Sequence, residues 1–420
     1  MRTMLVPRAP SSCRVRRTPA ARVRGASTPA RWGTLHSVLP LRWAKPGADF
    51  GFLLARSSAL LATLFSFAAG CGQADNSAEV AAELAAGGTP PAAPTASEAA
   101  QKAFNPRLLR RFGPARATIA DVEPSPAKVD LGRMLYHEKR LSKSQEVSCN
   151  TCHQLDRYGV DSEPTSKGHK GLRGGRNAPT VFHAAGHFLQ GWDGRTSSVE
   201  EQALVPILNP LEMAAPNETY VLEVLASMPQ YLSAFKKAFP GEKDPITLVN
   251  VGRAIGAFER KLTTRARWDE YLEGKTDALT DKEVEGLKLF TNLGCMGCHT
   301  GEFLGGSMYE KVGVVQPWPG QKDQGRYDLT RRDADRMMFK VPTLRNISET
   351  APYFHDGSAA TLQQAVTMMG RHQLGIQLDA AEVDAIVTWL KSLKGDLPMG
   401  YIASPELPPS TASTPKPDRT

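Results

Sequence analysis

Residues 149–153 read CNTCH and residues 295–299 read CMGCH, 146 positions further on. Two thiols three residues apart can each form a thioether to one vinyl group of the same porphyrin. The histidine that follows then lies beneath the iron as its proximal ligand, so the pattern is that of c-type haem attachment. The other uses of a CxxC pair fit poorly. Zinc ribbons bring two such pairs together at a spacing of about 15–20 residues, and a thioredoxin-like redox pair requires a βαβ context that this chain lacks. Cys149, Cys152, His153, Cys295, Cys298 and His299 are therefore expected to hold two covalent haems. The chain has six cysteines, and the other two are Cys13 and Cys71. None is left for a structural disulfide.

The elements that must position these motifs read as helices. In DPITLVNVGRAIGAFERKL (244–262), Asp244 and Pro245 look like N-cap and first helical residue, and Leu248, Val251, Ile255, Phe258 and Leu262 share one face. DAAEVDAIVTWLKSLKG (379–395) offers an Asp379–Glu382 capping box, a stripe of Val383, Ile386, Val387 and Leu390, and a closing Gly395. No run alternates as a strand would. A weak internal repeat precedes the two pentapeptides: Gly132-Arg-Met-Leu135-Tyr136 and Gly286-Leu-Lys-Leu289-Phe290. The chain is thus expected to be mainly α, with two cytochrome c-type haem domains and long ordered loops, at 105–275 and 276–396.

The ends have a different character. The net charge of +8 would suggest a nucleic-acid partner, but 11 of the 51 Lys and Arg lie in residues 1–71 beside a single acid, Asp49. The other 40 bases meet 42 acids, so the working protein is near neutral and no nucleic acid is expected. Within 1–71, Arg56 precedes the short apolar run SSALLATLFSFAA and Ala68-Ala69-Gly70-Cys71 follows it. This is a signal-peptide layout, and the run is too short for a membrane span. Its ending resembles a lipoprotein processing site, with Cys71 as the lipidated residue. Ala68 stands where Leu is usual, so ordinary cleavage nearby stays open. An exported, periplasmic protein follows, with a possible lipid anchor. Residues 72–104 read as a flexible linker and 397–420 as a flexible tail.

Three longer stretches carry a family resemblance: GHKGLRGGRNAPTVFHAAGHFLQGWDGR (168–195), EEQALVPILNPLEM (200–213) and LRNISETAPYFHDGSAATLQQAVTMMG (344–370). With both pentapeptides in order, they resemble the bacterial dihaem cytochrome c peroxidases from about Pro106 to Lys394. The resemblance implies an enzyme that reduces H2O2 with electrons from a small c-type cytochrome or a cupredoxin. It makes the N-terminal haem peroxidatic, with His153 proximal and His169 as resting sixth ligand. His183 and His187 lie nearby, where relatives commonly carry Asn. Glu212 and Gln202 match the catalytic Glu and its companion. The C-terminal haem is the electron entry site, with His299 and Met369 as axial ligands and Met368 as the neighbouring alternative. His355 reads as a hydrogen-bonding neighbour, and Trp192 as the aromatic between the haems. Asn177, Thr350 and Pro352 correspond to the family's Ca²⁺ ligands, and relatives are homodimers.

Two other readings share these residues. A relative that oxidises tryptophans of another protein carries Tyr where Met369 stands. A dihaem electron carrier would leave Glu212 and Gln202 idle.

Overall fold

The computed structural model describes residues 103–420. The leader, Cys71 and nearly all of the linker call at 72–104 lie outside the described residues. Seven helices of eight or more residues form the frame: α1 (Pro126–His137), α2 (Glu218–Ala226), α3 (Pro229–Ala238), α4 (Leu248–Glu259), α5 (Asp281–Asn292), α6 (Leu362–Met369) and α7 (Ala380–Lys391). The only sheet among the described residues is an antiparallel ribbon of β1 (Tyr309–Lys311) and β2 (Met338–Lys340), in which Tyr309 pairs with Lys340. Strands of three residues are too short for alternation to show in a sequence.

Helix starts follow local chemistry. Ser125 caps α1 ahead of Pro126, and Thr280 with Glu283 closes a capping box on α5. The expected Asp379–Glu382 box opens α7, whose Val383, Ile386, Val387 and Leu390 are all buried. One start is corrected. α4 begins at Leu248 with Thr247 as N-cap, not at Pro245 with Asp244. The Asn250 amide donates to Pro245 O and to Glu242, which holds residues 242–247 as a turn outside the helix. Gly395 does not close α7, which ends at Lys391. It instead bridges to Ala266, so close to Arg265 that a Cβ would lie 2.4 Å from that residue's carbonyl oxygen.

Two hydrophobic cores result, each built on one helix crossing. In the first, α1 meets α4, and a Cβ on Gly132 would sit 1.9 Å from Ala254 O. In the second, α5 meets α7, and a Cβ on Gly286 would sit 2.0 Å from Ala385 O. Four residues past each glycine an aromatic ring packs on the crossing helix: Tyr136 against Phe258 at 5.4 Å and Phe290 against Trp389 at 4.4 Å. The weak repeat is therefore a repeated helix crossing.

The chain ends depart from expectation. Phe104, Leu108, Leu109 and Phe112 pack on the second core, and Ala266 and Trp268 belong to it too, although all lie within 105–275 or beside it. Phe112 meets the Trp268 ring edge-on at 5.4 Å. The segment is pinned by a buried ion pair: Arg345 donates to both Asp269 oxygens (2.9 and 3.1 Å) and to Gly113 O, while Ala115 N–H donates to Asp269. The supposed tail is also ordered on the first core. Tyr401 stacks on Phe258 and donates to its carbonyl at 2.8 Å, and Ile402 is buried. Beyond it, Thr411 donates to Ser227 O and Gln145 donates to Pro415 O. Composition suggested a loose tail because Ser, Thr and Pro bury little apolar surface; here their hydroxyls and carbonyls hold the segment by hydrogen bonds.

Because a methyl group has no room at either crossing, Gly132→Ala and Gly286→Ala are each expected to lose about 1–3 kcal/mol of stability. Denaturant titration of each variant measures this, and an unchanged midpoint would show that the helices separate freely.

Candidate functional site

The first CxxCH forms a single helical turn, Cys149–Cys152, entered from Ser148, whose N–H donates to Thr151 Oγ1 at 2.9 Å. The second is a 3₁₀ turn, Cys295–Gly297, entered from Gly294 at φ +98°. In both, the histidine N–H donates to the carbonyl of the first cysteine, at 2.9 Å for His153 and 3.0 Å for His299. Each imidazole then donates from Nδ1 to a backbone carbonyl, Gly159 O at 3.3 Å or Leu304 O at 3.1 Å. This fixes the tautomer with Nε2 as the lone-pair nitrogen, the form that binds iron. Burial holds both imidazoles below their ordinary pKa, so both stay neutral. The frame helices reach the motifs directly. Tyr136 Oη donates to His153 O at 2.8 Å, and the Phe290 ring lies 6.4 Å from that of His299.

The four motif cysteines form no disulfide. Burial pushes every one up in pKa, Cys152 to about 11 and Cys295 to about 12. Among the described residues no three His, Cys, Asp or Glu side chains converge as a metal-ion site. Both motifs instead line one cavity of about 1020 Å³, lined largely by apolar groups. Neutral thiols, oriented imidazoles and an apolar cavity of this size fit covalently attached haems.

The same cavity collects most of the other candidates: Trp192, Gln202, Glu212, Met369, Asn177, Thr350, Pro352, His355 and His187. Glu212 is half-buried, and Asn209 Nδ2 donates to its Oε1 at 2.8 Å. Burial raises its pKa against the opposing pull of Arg195 and Asn209. Gln202 Oε1 accepts from Thr196 Oγ1 at 2.9 Å, which leaves its amide N–H groups as donors. Met368 packs on the second core while Met369 lines the cavity, and the chain continues past it as a π turn, Gly370–Leu374. Such turns recur at functional sites. Trp192 Nε1 donates to Asn177 O at 2.9 Å. His355 is engaged by Gln321 at 2.9 Å and stacked on Phe339 at 4.1 Å.

His169 stands apart. It is 5% exposed, does not line the cavity, and its Nδ1 has no partner. Its N–H donates to Glu212 O at 2.7 Å, and Lys170 after it is left-handed at φ +57°. His183 does not line the cavity either, since its Nε2 accepts from Thr264 N–H deep beside Phe303. Sequence reasoning passed over an electrostatic cluster on the cavity wall. Asp193 bridges Arg176 and Arg195, and Arg176 also grips Asp323. Despite burial, the two guanidinium groups hold the Asp193 carboxyl below its ordinary range. Asp193 and Arg195 stood in the GWDGR stretch, and Asn209 in NPLEM. Their side-chain partners lie 2 to 17 residues away, whereas Arg176 reaches Asp323 147 residues further on.

A model of the di-haem cytochrome c peroxidases matches residues 126–277, and one of cytochrome c matches 283–394. The chain is 48% identical over 301 residues to a cytochrome c551 peroxidase of Nitrosomonas europaea, covering 71% of this chain and 89% of that protein. It is 42% identical over 293 residues to a cytochrome c551 peroxidase of Pseudomonas aeruginosa, covering 69% and 84%. Among solved structures, a MauG-like protein associated with microbial copper homeostasis superposes with a TM-score of 0.61 at 29% identity, over 72% of this chain and 98% of that one.

With haem on both motifs, thiol titration of the denatured protein should find none of Cys149, Cys152, Cys295 and Cys298, and a haemochrome assay should count two haems. Four titratable thiols after maturation would contradict covalent attachment.

Proposed function

The chain belongs to the di-haem cytochrome c peroxidase family, and on that premise we propose that it reduces H2O2 to two waters with two electrons from a small c-type cytochrome or a cupredoxin. Two c-type haems supply the redox centres when bound, one that meets peroxide and one that receives electrons. We assign the first role to the site of Cys149, Cys152 and His153; His169, whose ring lies off the cavity wall, serves as its resting sixth ligand only when its loop turns that ring inward. The second falls to the site of Cys295, Cys298 and His299, with Met369 opposite. Met ligation favours a high potential, suited to collecting electrons.

The observation that carries this reading is the Glu212 carboxyl, raised in pKa by burial on the cavity wall it shares with His153 and Gln202. Breaking the O–O bond requires a proton to leave the near oxygen of peroxide and arrive on the far one, which departs as water. Glu212 Oε2 is the oxygen that Asn209 does not hold, and it is the group to carry that proton. The Gln202 amide donors steady charge developing on the departing oxygen. Two electrons and two further protons then complete the second water.

Access depends on the His169 loop. The 2.7 Å bond from His169 N–H to Glu212 O ties the loop to the segment bearing the acid. That bond joins main chain to main chain, so a movement of the His169 loop would be felt at the segment bearing the acid. Trp192, on the same wall and braced by Asn177, is the aromatic we place on the electron path. We place Ca²⁺ beside it: Asn177 Nδ2 donates to Glu163 O, which leaves Oδ1 for the ion with the Thr350 and Pro352 carbonyls. Export, and a lipid anchor at Cys71, rest on the sequence alone, as does the homodimer on the family.

The deciding experiment follows oxidation of a reduced small c-type cytochrome by H2O2, before and after one-electron reduction of the holoprotein. Turnover only after reduction is expected, and His169→Ala should turn over without it. Turnover in neither state, with several donors tried, would leave an electron carrier or a specialised oxidant of another protein. Glu212→Gln should lower kcat by about 10²–10⁴. The base form of Glu212 lies above its raised pKa, so wild-type kcat/KM should fall as pH drops through that value. The variant should lack this acid limb.

A further inference from the structure

The strong cations on the cavity wall are Arg176, Arg195 and Lys340. The two arginines are answered within the protein: Arg176 by Asp323 and Asp193 at 2.6–2.8 Å, and Arg195 by Asp193 at 2.7 and 3.0 Å. Lys340 is not. It is 7% exposed, at the end of β2, and its main-chain N–H is held by Trp192 O at 2.7 Å. Its Nζ donates to Leu189 O at 3.0 Å and to His187 Nδ1 at 3.1 Å, both neutral acceptors. Among the described residues no carboxylate lies within ion-pair distance of it. An ammonium has three N–H groups, so one has no protein acceptor.

Both of its hydrogen-bond acceptors are neutral, and Asp193, which acts on it only through space, is already shared by two arginines, so this buried ammonium is costly unless a further anion reaches it. Burial pushes Lys340 down to about 8, still above neutrality, so the charge is present at pH 7. His187 is built to orient it. With Nδ1 accepting from Nζ, its proton sits on Nε2, a buried atom with no partner, and its ring packs edge-on to Phe303 at 5.9 Å. The cavity that Lys340 and His187 line is the one that receives the haems, and each haem brings two carboxylates on its propionate arms.

We propose that Lys340 Nζ, oriented by His187, is the binding site for a haem propionate at the boundary between the two CxxCH sites. The inference rests on haem attachment at both motifs but not on peroxidase turnover. Either haem could supply the carboxylate, and the test separates them. Lys340 is a positioning and electrostatic residue here, since a cation beside a haem carboxylate favours the reduced iron.

The test is a potentiometric titration, followed optically, of wild-type, Lys340→Met and Lys340→Arg holoproteins whose haems have been counted. In Lys340→Met one haem should lose about tenfold in its reduction equilibrium, ~59 mV downward for one electron, with the other unmoved. The haem that moves is the one whose propionate is held. Lys340→Arg should restore most of the shift. If Lys340→Met does not mature, Lys340→Gln takes its place with the same expected shift. A change of less than about twofold in the reduction equilibrium of both haems would overturn the proposal. So would an equal fall in Lys340→Arg, since that would be a packing effect and not a charge. No peroxide enters the titration, so a protein without turnover that still shows the shift would refute the peroxidase and keep the propionate site. A wild-type protein lacking two haems would sink both.

Discussion

Two helix crossings with no room for a methyl group set the rest of the molecule. At Gly132 over Ala254 and at Gly286 over Ala385, the backbones approach until a Cβ would lie about 2 Å from a carbonyl oxygen. Only glycine permits that distance. Once the axes are this close, the aromatic residue one turn on has a single place to go, against Phe258 or Trp389. From there Tyr136 reaches the His153 carbonyl and Phe290 the His299 ring. The crossings therefore fix the histidines, and the histidines fix where iron would lie.

Equal frames carry unequal surroundings. Around the first motif the cavity wall offers polar, protonatable groups, Glu212 and Gln202, with a left-handed loop at His169 that shares a backbone hydrogen bond with the acid. Around the second it offers the end of α6, a thioether at Met369 and a π turn. A soft sulfur suits electron storage; a carboxyl raised by burial suits proton movement. The division of labour proposed above rests on side chains added to one repeated scaffold.

The chain ends make the two cores interdependent. The N-terminal stretch through Phe112 packs on the second core and the C-terminal stretch through Ile402 on the first. Each core is completed by the far end of the chain. The buried Arg345–Asp269 pair fastens this arrangement by also holding Gly113 and Ala115. Removing either charge would leave the other buried and unpaired, which is why such pairs fix register more than they add stability.

By itself the sequence determined the chemistry that covalent spacing and helical period encode. Cysteines three apart with a following histidine name haem attachment whatever the fold, because the thioether geometry is local. The 3.6-residue stripes of α4 and α7 name their buried faces for the same reason, and the glycine–aromatic repeat was visible before its meaning was. What tertiary structure alone decided depends on contacts between distant residues. It put Met369, which the resemblance already favoured, on the cavity wall and Met368 against the second core. It turned a Ser/Thr/Pro tail into a packed segment, because its hydrogen-bond partners at Gln145 and Ser227 lie some 180 to 270 residues earlier. And it left Lys340 without a carboxylate beside a cavity: a charge reads the same in sequence whether or not a counter-charge folds against it.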